Sequence, residues 1–138
     1  MTYLLDTNAC IALINGSPEQ VRRRFERECA AGAAMATSSI TVFELWYGVR
    51  KSQRREANAR RLTTFLAGPV DVLELDDEDA RAAGDVRAAL ERAGTPIGAY
   101  DVLIAGQSLR RAATLVTANV SEFSRVPALR FQDWAAAS

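Results

Sequence analysis

The chain of 138 residues is 49% hydrophobic and 25% charged, and its 17 basic and 17 acidic residues give a formal net charge of zero. This composition is ordinary for a globular protein, and the length predicts one domain over residues 1–138. No apolar run approaches the roughly 18 residues that span a bilayer, so we expect a cytoplasmic protein without a membrane partner. The absence of histidine excludes Ser-His-Asp and Cys-His catalysis and histidine-ligated zinc, which leaves carboxylates, hydroxyls, lysine or a hard metal ion for any chemistry.

Short apolar segments alternate with helical segments along the chain. In chain order, the pattern predicts a strand in TYLLD, a charged helix from Pro18 to Ala31, a strand in AAMATS, a helix in SSITVFELWYGVRK, helices over 54–67 and 77–93 that flank a strand in VDVLEL, a helix in IGAYDVLIAGQSLRRA, a strand in ATLVT and a short fifth strand in LRFQDW. Such alternation is typical of an α/β fold with a central parallel sheet, here of about five strands, and helices on both faces. In these sheets, functional residues collect beyond the C-terminal ends of the strands.

Three acidic residues lie in apolar surroundings. Asp6 ends the first strand, Glu44 shares a predicted buried helix face with Phe43 and Tyr47, and Asp101 lies within GAYDVLIAG. A buried carboxylate costs several kcal/mol unless it is paired, protonated or bound to a metal ion. Each acid also has a structural alternative, as a helix cap, as the partner of an arginine, or as a favourable charge at a helix N-terminus.

A divalent cation would explain the three acids together. Carboxylate oxygens suit Mg²⁺ or Mn²⁺, and a chain without histidine offers softer metals little. Asn8 follows Asp6 by two residues, Thr117 and Asn119 lie at the end of the fourth strand, and Glu122 comes three residues later. We therefore predict a metal pocket of Asp6, Glu44 and Asp101, in which the other four residues orient ligands or water. Such acidic sites commonly activate water for cleavage of a phosphodiester.

Charge is segregated along the chain although the net charge is zero. Between Arg50 and Arg61 there are six basic residues and one acid, whereas between Asp71 and Asp79 there are six acids and no base. The acidic segment indicates a solvated helix start. The basic strip is either a solvated helix face or a surface that binds a polyanion, and both alternatives stay open at this point.

Four segments resemble the PIN domain, in particular the VapC toxins of bacterial toxin–antitoxin pairs. They are LLDTNACIALI, SSITVFELWYGVRKS, RAALERAGTPIGAYDVLIAGQS and LVTANVSEFSRVPALRFQDW. The resemblance covers nearly the whole chain in the family's order and spacing. It implies a PIN fold and an endoribonuclease dependent on Mg²⁺, which Mn²⁺ can replace, with acidic ligands at Asp6, Glu44 and Asp101.

The resemblance also implies partners. VapC proteins are typically homodimers, each silenced by a cognate VapB-type antitoxin that places a tail in the active site and connects the toxin to promoter DNA only indirectly. The subgroup that carries RRRFER, YGVRKSQ and TPIGAYD in register cleaves initiator tRNA in the anticodon stem-loop. We expect RNA to approach along Arg50, Lys51, Arg54 and Arg55, with Trp46, Tyr47 and Tyr100 either stacking on bases or belonging to the core or the dimer surface.

Two positions depart from the family pattern. Asn119 stands where many PIN domains have a fourth acid, and whether Glu122 supplies the missing charge is left open. Gln107 replaces a histidine frequent in the subgroup, which we expect to alter packing beside the ligands. Three rival functions are a non-cleaving partner in a DNA-binding regulatory complex, a structural domain whose acids are helix caps, and a DNA nuclease.

Overall fold

The computed structural model describes residues 1–136, so the last two residues of the predicted domain 1–138 lie outside the described residues. Its core is one parallel sheet in the strand order β3-β2-β1-β4-β5. The strands are β1 (Thr2–Leu5), β2 (Ala34–Ser38), β3 (Val70–Leu73), β4 (Thr114–Val116) and β5 (Phe131–Gln132). The predicted α/β class and five-stranded parallel sheet are confirmed.

Within residues 1–136, seven helices connect these strands. They are α1 (Thr7–Asn15), α2 (Glu19–Ala30), α3 (Ser39–Lys51), α4 (Arg55–Leu66), α5 (Asp77–Arg92), α6 (Ala99–Arg110) and α7 (Val120–Phe123). Helices α1 and α7 have no counterpart among the predicted elements, and the four residues of α7 are too few for a recognisable apolar period. No helix within residues 1–136 has both the length and the apolar character needed to cross a membrane.

Helices cover the sheet on both faces, so each strand alternates between two apolar clusters. Tyr3 and Leu5 of β1 belong to one cluster, which includes residues of α1, α3 and α4, whereas Leu4 belongs to the other, which includes residues of α5 and α6. This follows from the two-residue period of strand side chains. Helices α5 and α6 approach closely at Gly106, where a Cβ atom would clash with the Ala83 backbone.

The order of the strands places the C-terminal ends of β1, β2 and β4 next to one another. Leu5, the last residue of the central strand β1, is paired with Thr37 of β2 and with Val116 of β4. Parallel strands end at the same edge of the sheet, so the residues that follow β1, β2 and β4 lie side by side. Helix α3 begins at this edge, where the Ser38 side chain accepts a hydrogen bond from the Ile40 backbone N–H at 3.1 Å.

The predicted orientation of helix α3 is wrong in one respect. Its buried residues are Thr41, Leu45 and Val49, whereas Phe43 and Tyr47 are 53% and 59% exposed. The buried stripe therefore follows a four-residue spacing that leaves the two aromatic residues on the outer surface. Glu44 lies at the border between these faces, half-buried, and does not share a buried face with Phe43 and Tyr47.

Candidate active site

Asp6 directly follows β1 and is held at the sheet edge by its backbone and its side chain. Its backbone N–H donates to the Val116 carbonyl oxygen at 3.1 Å, and its carboxylate accepts from the Ala9 N–H at 2.8 Å, which caps α1. The side chain is also hydrogen-bonded to Thr117. Asp6 is only 7% exposed, and burial, followed by repulsion from Glu44 and Asp133, raises its pKa against these hydrogen bonds.

Glu44 faces α1 from the second turn of α3. Its Oε1 accepts a hydrogen bond of 2.6 Å from Thr7 Oγ1, and Thr7 also lies 3.4 Å from the Thr41 hydroxyl. Thr7 therefore orients Glu44, a role that was not predicted from the sequence. Its only signal in the sequence is its place directly after Asp6, since the first turn of a helix that follows a strand points at the same edge of the sheet.

Asp101 lies in the first turn of α6, where the helix dipole favours a negative charge. Its Oδ2 accepts from Asn119 Nδ2 at 3.3 Å. The pKa of Asp101 is nevertheless raised to about 6, first by burial, then by its contact with the Glu122 carboxyl group and by repulsion from Glu122, Asp6 and Glu44. The three predicted acids are therefore close enough to repel one another, as we expected from their places in the sequence.

The four supporting residues occupy different places around these acids. Thr117 is buried beside Asp6, and its Oγ1 accepts a hydrogen bond from the Asn119 backbone N–H at 2.9 Å. Asn119 and Glu122 contact Asp101 from the segment that follows β4. Asn8 is exposed in the first turn of α1 and lines a cavity of about 280 Å³ together with Thr117 and Asp133.

Asp133 is an acid of this region that the sequence analysis missed. It directly follows β5, as Asp6 follows β1, and its Oδ1 accepts from the Ala135 N–H at 2.9 Å. It is half-buried, and its charge contributes to the raised pKa of Asp6. The signal that could have identified Asp133 is its place near the end of the predicted strand LRFQDW, just as Asp6 ends TYLLD.

The donor chemistry of the site fits a hard divalent cation. Among residues 1–136, no Lys or Arg nitrogen lies within 4 Å of the Asp6, Glu44 or Asp101 carboxylates, and their mutual repulsion is what such a cation would offset. Within the same residues, however, no three acidic or thiol side chains are gathered closely enough to surround one ion. The hydrogen bonds from Thr7 and Asn119 engage one oxygen each, Oε1 of Glu44 and Oδ2 of Asp101, so the other oxygen of each carboxylate is the one that would face a shared ion.

Gln107 lies with a different acid. Its Nε2 donates to the Leu73 and Glu74 carbonyl oxygens, both at 3.2 Å, and to Asp79 Oδ2 at 3.3 Å. Asp79 is fully buried, so the prediction that the whole acidic segment is solvated is wrong at this residue. The departure from the family pattern at position 107 thus concerns the connection between β3 and α5 and not the three acids of the candidate site.

The predicted RNA-binding residues are exposed at the end of α3 and the start of α4. The Arg50 guanidinium lies 5.8 Å from the centre of the half-buried Trp46 ring, and the Lys51 ammonium lies 5.0 Å from the Tyr47 ring. Within the described part of the chain, Arg50, Lys51, Arg54 and Arg55 have no acidic oxygen within 4 Å. Arg50 is six residues beyond Glu44, about 9 Å along the helix axis.

Comparisons with known proteins agree with this architecture. Residues 3–129 match the PIN domain family. The chain is 41% identical over 134 residues to the tRNA(fMet)-specific endonuclease VapC of Salmonella typhimurium strain LT2, covering 97% of this chain and 98% of the relative. It is 40% identical over 137 residues to ribonuclease VapC2 of Rickettsia felis, with the same coverage of the two chains.

A solved structure extends the likeness to three dimensions. In a crystal structure of VapBC2 from Rickettsia felis bound to a fragment of promoter DNA, one chain superimposes on this structure with a TM-score of 0.90 and 37% identity, covering 97% of this chain and 99% of that one. Sequence and structure are therefore similar over nearly the full length of both proteins. The chain belongs to the PIN-domain family and, within it, to the VapC proteins.

Proposed function

We propose that this chain is the toxin of a type II toxin–antitoxin system and acts as a metal-dependent endoribonuclease on structured RNA. The observation that carries the proposal is the group of three acids, Asp6, Glu44 and Asp101, that repel one another at the C-terminal edge of the sheet without a basic partner in the described residues. The similarity to a tRNA(fMet)-specific endonuclease supports tRNA, and initiator tRNA in particular, as the substrate. The anticodon stem-loop is the expected site of cleavage.

The proposed roles follow from the contacts of each residue. Asp6 and Asp101 are the principal ligands of Mg²⁺ or Mn²⁺, and Glu44 is a third ligand or a base that orients water. The ion, when bound, would activate water and stabilise the charge that develops on the phosphate. Hydrogen bonds from Thr117 and the Ala9 N–H fix the Asp6 carboxylate, and one from Thr7 fixes that of Glu44. These bonds limit the motion of the two carboxylates and so keep them oriented for catalysis.

RNA binding is assigned to the exposed bases Arg50, Lys51, Arg54 and Arg55. Because no acid pairs with them in the described residues, they can exchange their counterions for backbone phosphates. Their place on the helix that carries Glu44, and just beyond it, would align a bound backbone with the three acids. Phe43, Tyr47 and Tyr100 are exposed near one another, with the Phe43 and Tyr100 ring centres 5.6 Å apart, and such a patch supports a homodimer interface.

A VapB-type antitoxin is the proposed partner, by similarity to the VapBC2 complex with promoter DNA, and contact with DNA would be indirect. An apolar cavity of about 310 Å³, lined by Ile11, Ile14 and Leu62 among others, opens beside Glu44 and would accept side chains of an antitoxin tail. We further propose that the domain extends over residues 1–138 and acts in the cytoplasm. A non-cleaving regulatory role is not supported, because its relatives are ribonucleases and the three acids are present.

Cleavage of total bacterial tRNA by the purified, antitoxin-free chain tests the proposal. With Mg²⁺ we expect one discrete product, whose ends map the target, and no product with EDTA. Asp6→Asn should reduce the rate by roughly 10³-fold, several kcal/mol of lost transition-state stabilisation. Asp85→Asn, which changes an exposed acid of α5, is the matched control and should cleave normally. Cleavage that persists in EDTA or in Asp6→Asn would refute the metal mechanism.

A further inference from the structure

Both carboxylate oxygens of Glu122 are already engaged by neighbouring groups. Oε1 accepts from the Gly98 backbone N–H at 2.8 Å, and Oε2 accepts from Asn119 Nδ2 at 2.5 Å. Gly98 is the residue immediately before α6, the helix that carries Asp101. Glu122 therefore joins the segment after β4 to the start of α6.

Asn119 places a single amide between two carboxylates. Its Nδ2 donates one hydrogen to Glu122 and the other to Asp101 Oδ2 at 3.3 Å. An amide nitrogen has two N–H groups, whereas a carboxylate at this position would have none. The backbone of Asn119 is in turn anchored through its N–H to Thr117, the residue that hydrogen-bonds Asp6. A continuous set of contacts thus connects Asp6 to Asp101 and to the N-terminus of α6.

We propose that Asn119 and Glu122 form a clamp that positions Asp101, with Asn119 as the shared donor and Glu122 as a tie to the backbone of α6. Glu122 is then a positioning residue and not a metal ligand, and the asparagine at 119 is what allows two carboxylates to lie side by side. The inference rests on the proposed function, because Asp101 is one of the proposed metal ligands, but the clamp itself consists only of contacts between protein groups.

Exchanging the two functional groups gives a sharp test. In Asn119→Asp, the three carboxylates at positions 101, 119 and 122 meet without a side-chain donor among them. In Glu122→Gln, the new amide faces the amide of Asn119, which must rotate and give up its bond to Asp101. In the double variant Asn119→Asp/Glu122→Gln, one amide again lies among two carboxylates, and the carbonyl oxygen of the new side chain at position 122 can still accept from the Gly98 N–H. The clamp therefore predicts that the double variant recovers what each single variant loses.

The first measurements are made in EDTA, so that they do not depend on metal binding or cleavage. We expect the Gly98 amide resonance to shift and its hydrogen exchange to accelerate by about tenfold or more in either single variant, with both returning towards wild type in the double variant. The melting temperature should follow the same order. A Gly98 amide that is unchanged in the single variants, or a double variant as perturbed as the worse single variant, would overturn the clamp.

The second measurement asks whether the clamp positions Asp101 for catalysis. At saturating Mg²⁺, each single variant should lose about tenfold or more in kcat with little change in KM, as expected for a misplaced catalytic group, and the double variant should regain most of it. Recovery of the Gly98 signal without recovery of kcat would refute the positioning role. If the wild-type chain cleaves no RNA at all, the proposed function fails, while the measurements in EDTA still decide whether the clamp exists.

Discussion

Two buried acids of this protein, Asp79 and Asp6, differ in what surrounds their charge. The Asp79 carboxylate is 0% exposed and accepts from Arg110 Nη1 at 3.1 Å and from Arg111 Nη2 at 3.0 Å. Burial would raise the pKa of Asp79, but hydrogen bonds from Arg111, the Asp76 backbone and Arg110 hold it below its ordinary value. Asp6 has only hydroxyl, amide and acidic neighbours among the described residues that act on its charge, and its pKa is raised.

The comparison shows that burial of an acid does not by itself indicate function. Asp79 also forms a capping box with Asp76 at the start of α5, so the contacts that neutralise it stabilise the packing of α5 and α6. The acids of the candidate site repel each other, which lowers the stability of the metal-free fold. Such a set of acids is expected at a functional site, where a bound ion or substrate offsets their repulsion and restores the lost stability.

The largest expected effect on stability separates the two acids directly. Asp79→Asn should lower the free energy of unfolding by about 3 kcal/mol, the lower end for a broken buried ion pair, because Arg110 and Arg111 are partly exposed and can be resolvated. Asp6→Asn should change it by less than about 1 kcal/mol, since asparagine caps a helix equally well. Urea denaturation measures both changes, with Asp85→Asn as the control. Equal losses in the free energy of unfolding for Asp79→Asn and Asp6→Asn would contradict the proposed difference between the two acids.

Divalent cations should act on one acid group and not on the other. At a free Mg²⁺ or Mn²⁺ concentration about 100 times Kd, the wild type should gain about 2.7 kcal/mol in stability. Asp79→Asn should show the same gain from its lower starting point, whereas Asp6→Asn and Asp101→Asn should lose most of it. Thermal unfolding at constant ionic strength measures the gain. A wild type that Mg²⁺ fails to stabilise would indicate that the acids have a structural role.

The two groups should also respond to pH with opposite signs. An acid whose pKa is raised on folding binds protons more tightly in the native state, so the metal-free protein should become more stable as the pH falls from about 7 to about 5, through the pKa of Asp101 at about 6. Asp79, whose pKa is lowered, contributes stability that is lost only below about pH 4. Urea titrations in EDTA should therefore show a maximum near about pH 5, and Asp101→Asn should flatten the rise that precedes it.

The smallest expected effect concerns two pairs of arginines, which differ, as the two acids do, in whether an oppositely charged group lies beside them. Arg110 and Arg111 are occupied by Asp76, Glu78 and Asp79, whereas Arg54 and Arg55 are exposed without such partners among residues 1–136.

Replacing Arg54 and Arg55 by Gln should reduce the slope of log K against log salt for RNA binding by about 1.5, which corresponds to roughly 0.7 to 0.9 for each lost phosphate contact. Arg87→Gln/Arg92→Gln removes the same charge from α5 and is the matched control. A slope that is equal in the two double variants would remove Arg54 and Arg55 from the proposed RNA surface.

Much of the fold could be predicted because its signals are local. The strands TYLLD and AAMATS and the helix over 77–93 are each patterns of residues that are neighbours in the sequence. The alternation of these elements was enough to predict a parallel sheet, since parallel strands need long connections. The C-terminal edge, where Asp6 lies after β1, follows from that topology.

Other features could not be predicted because they depend on which residues meet across the fold. Thr7 and Glu44 belong to different helices, and Asp133 meets Asp6 only because β5 and β1 both pair with β4. The four-residue spacing of Thr41, Leu45 and Val49 competes in the sequence with Phe43 and Tyr47, and packing against α1 and α4 selected the first set. Neither residue of such a pair carries a local sequence signal that identifies its partner.

From the sequence alone we could predict the α/β class, the order of the strands and the three acids of the candidate site, because periodicity and polar residues after strands are properties of neighbouring residues. Contacts across the fold account for the neutralisation of Asp79 by two arginines, the proximity of Asp133 to Asp6, and the position of Asn119 between Asp101 and Glu122. The physical reason is that the energy of a charge depends on its distance in space from other charges and dipoles, and that distance is set by how the sheet and helices pack.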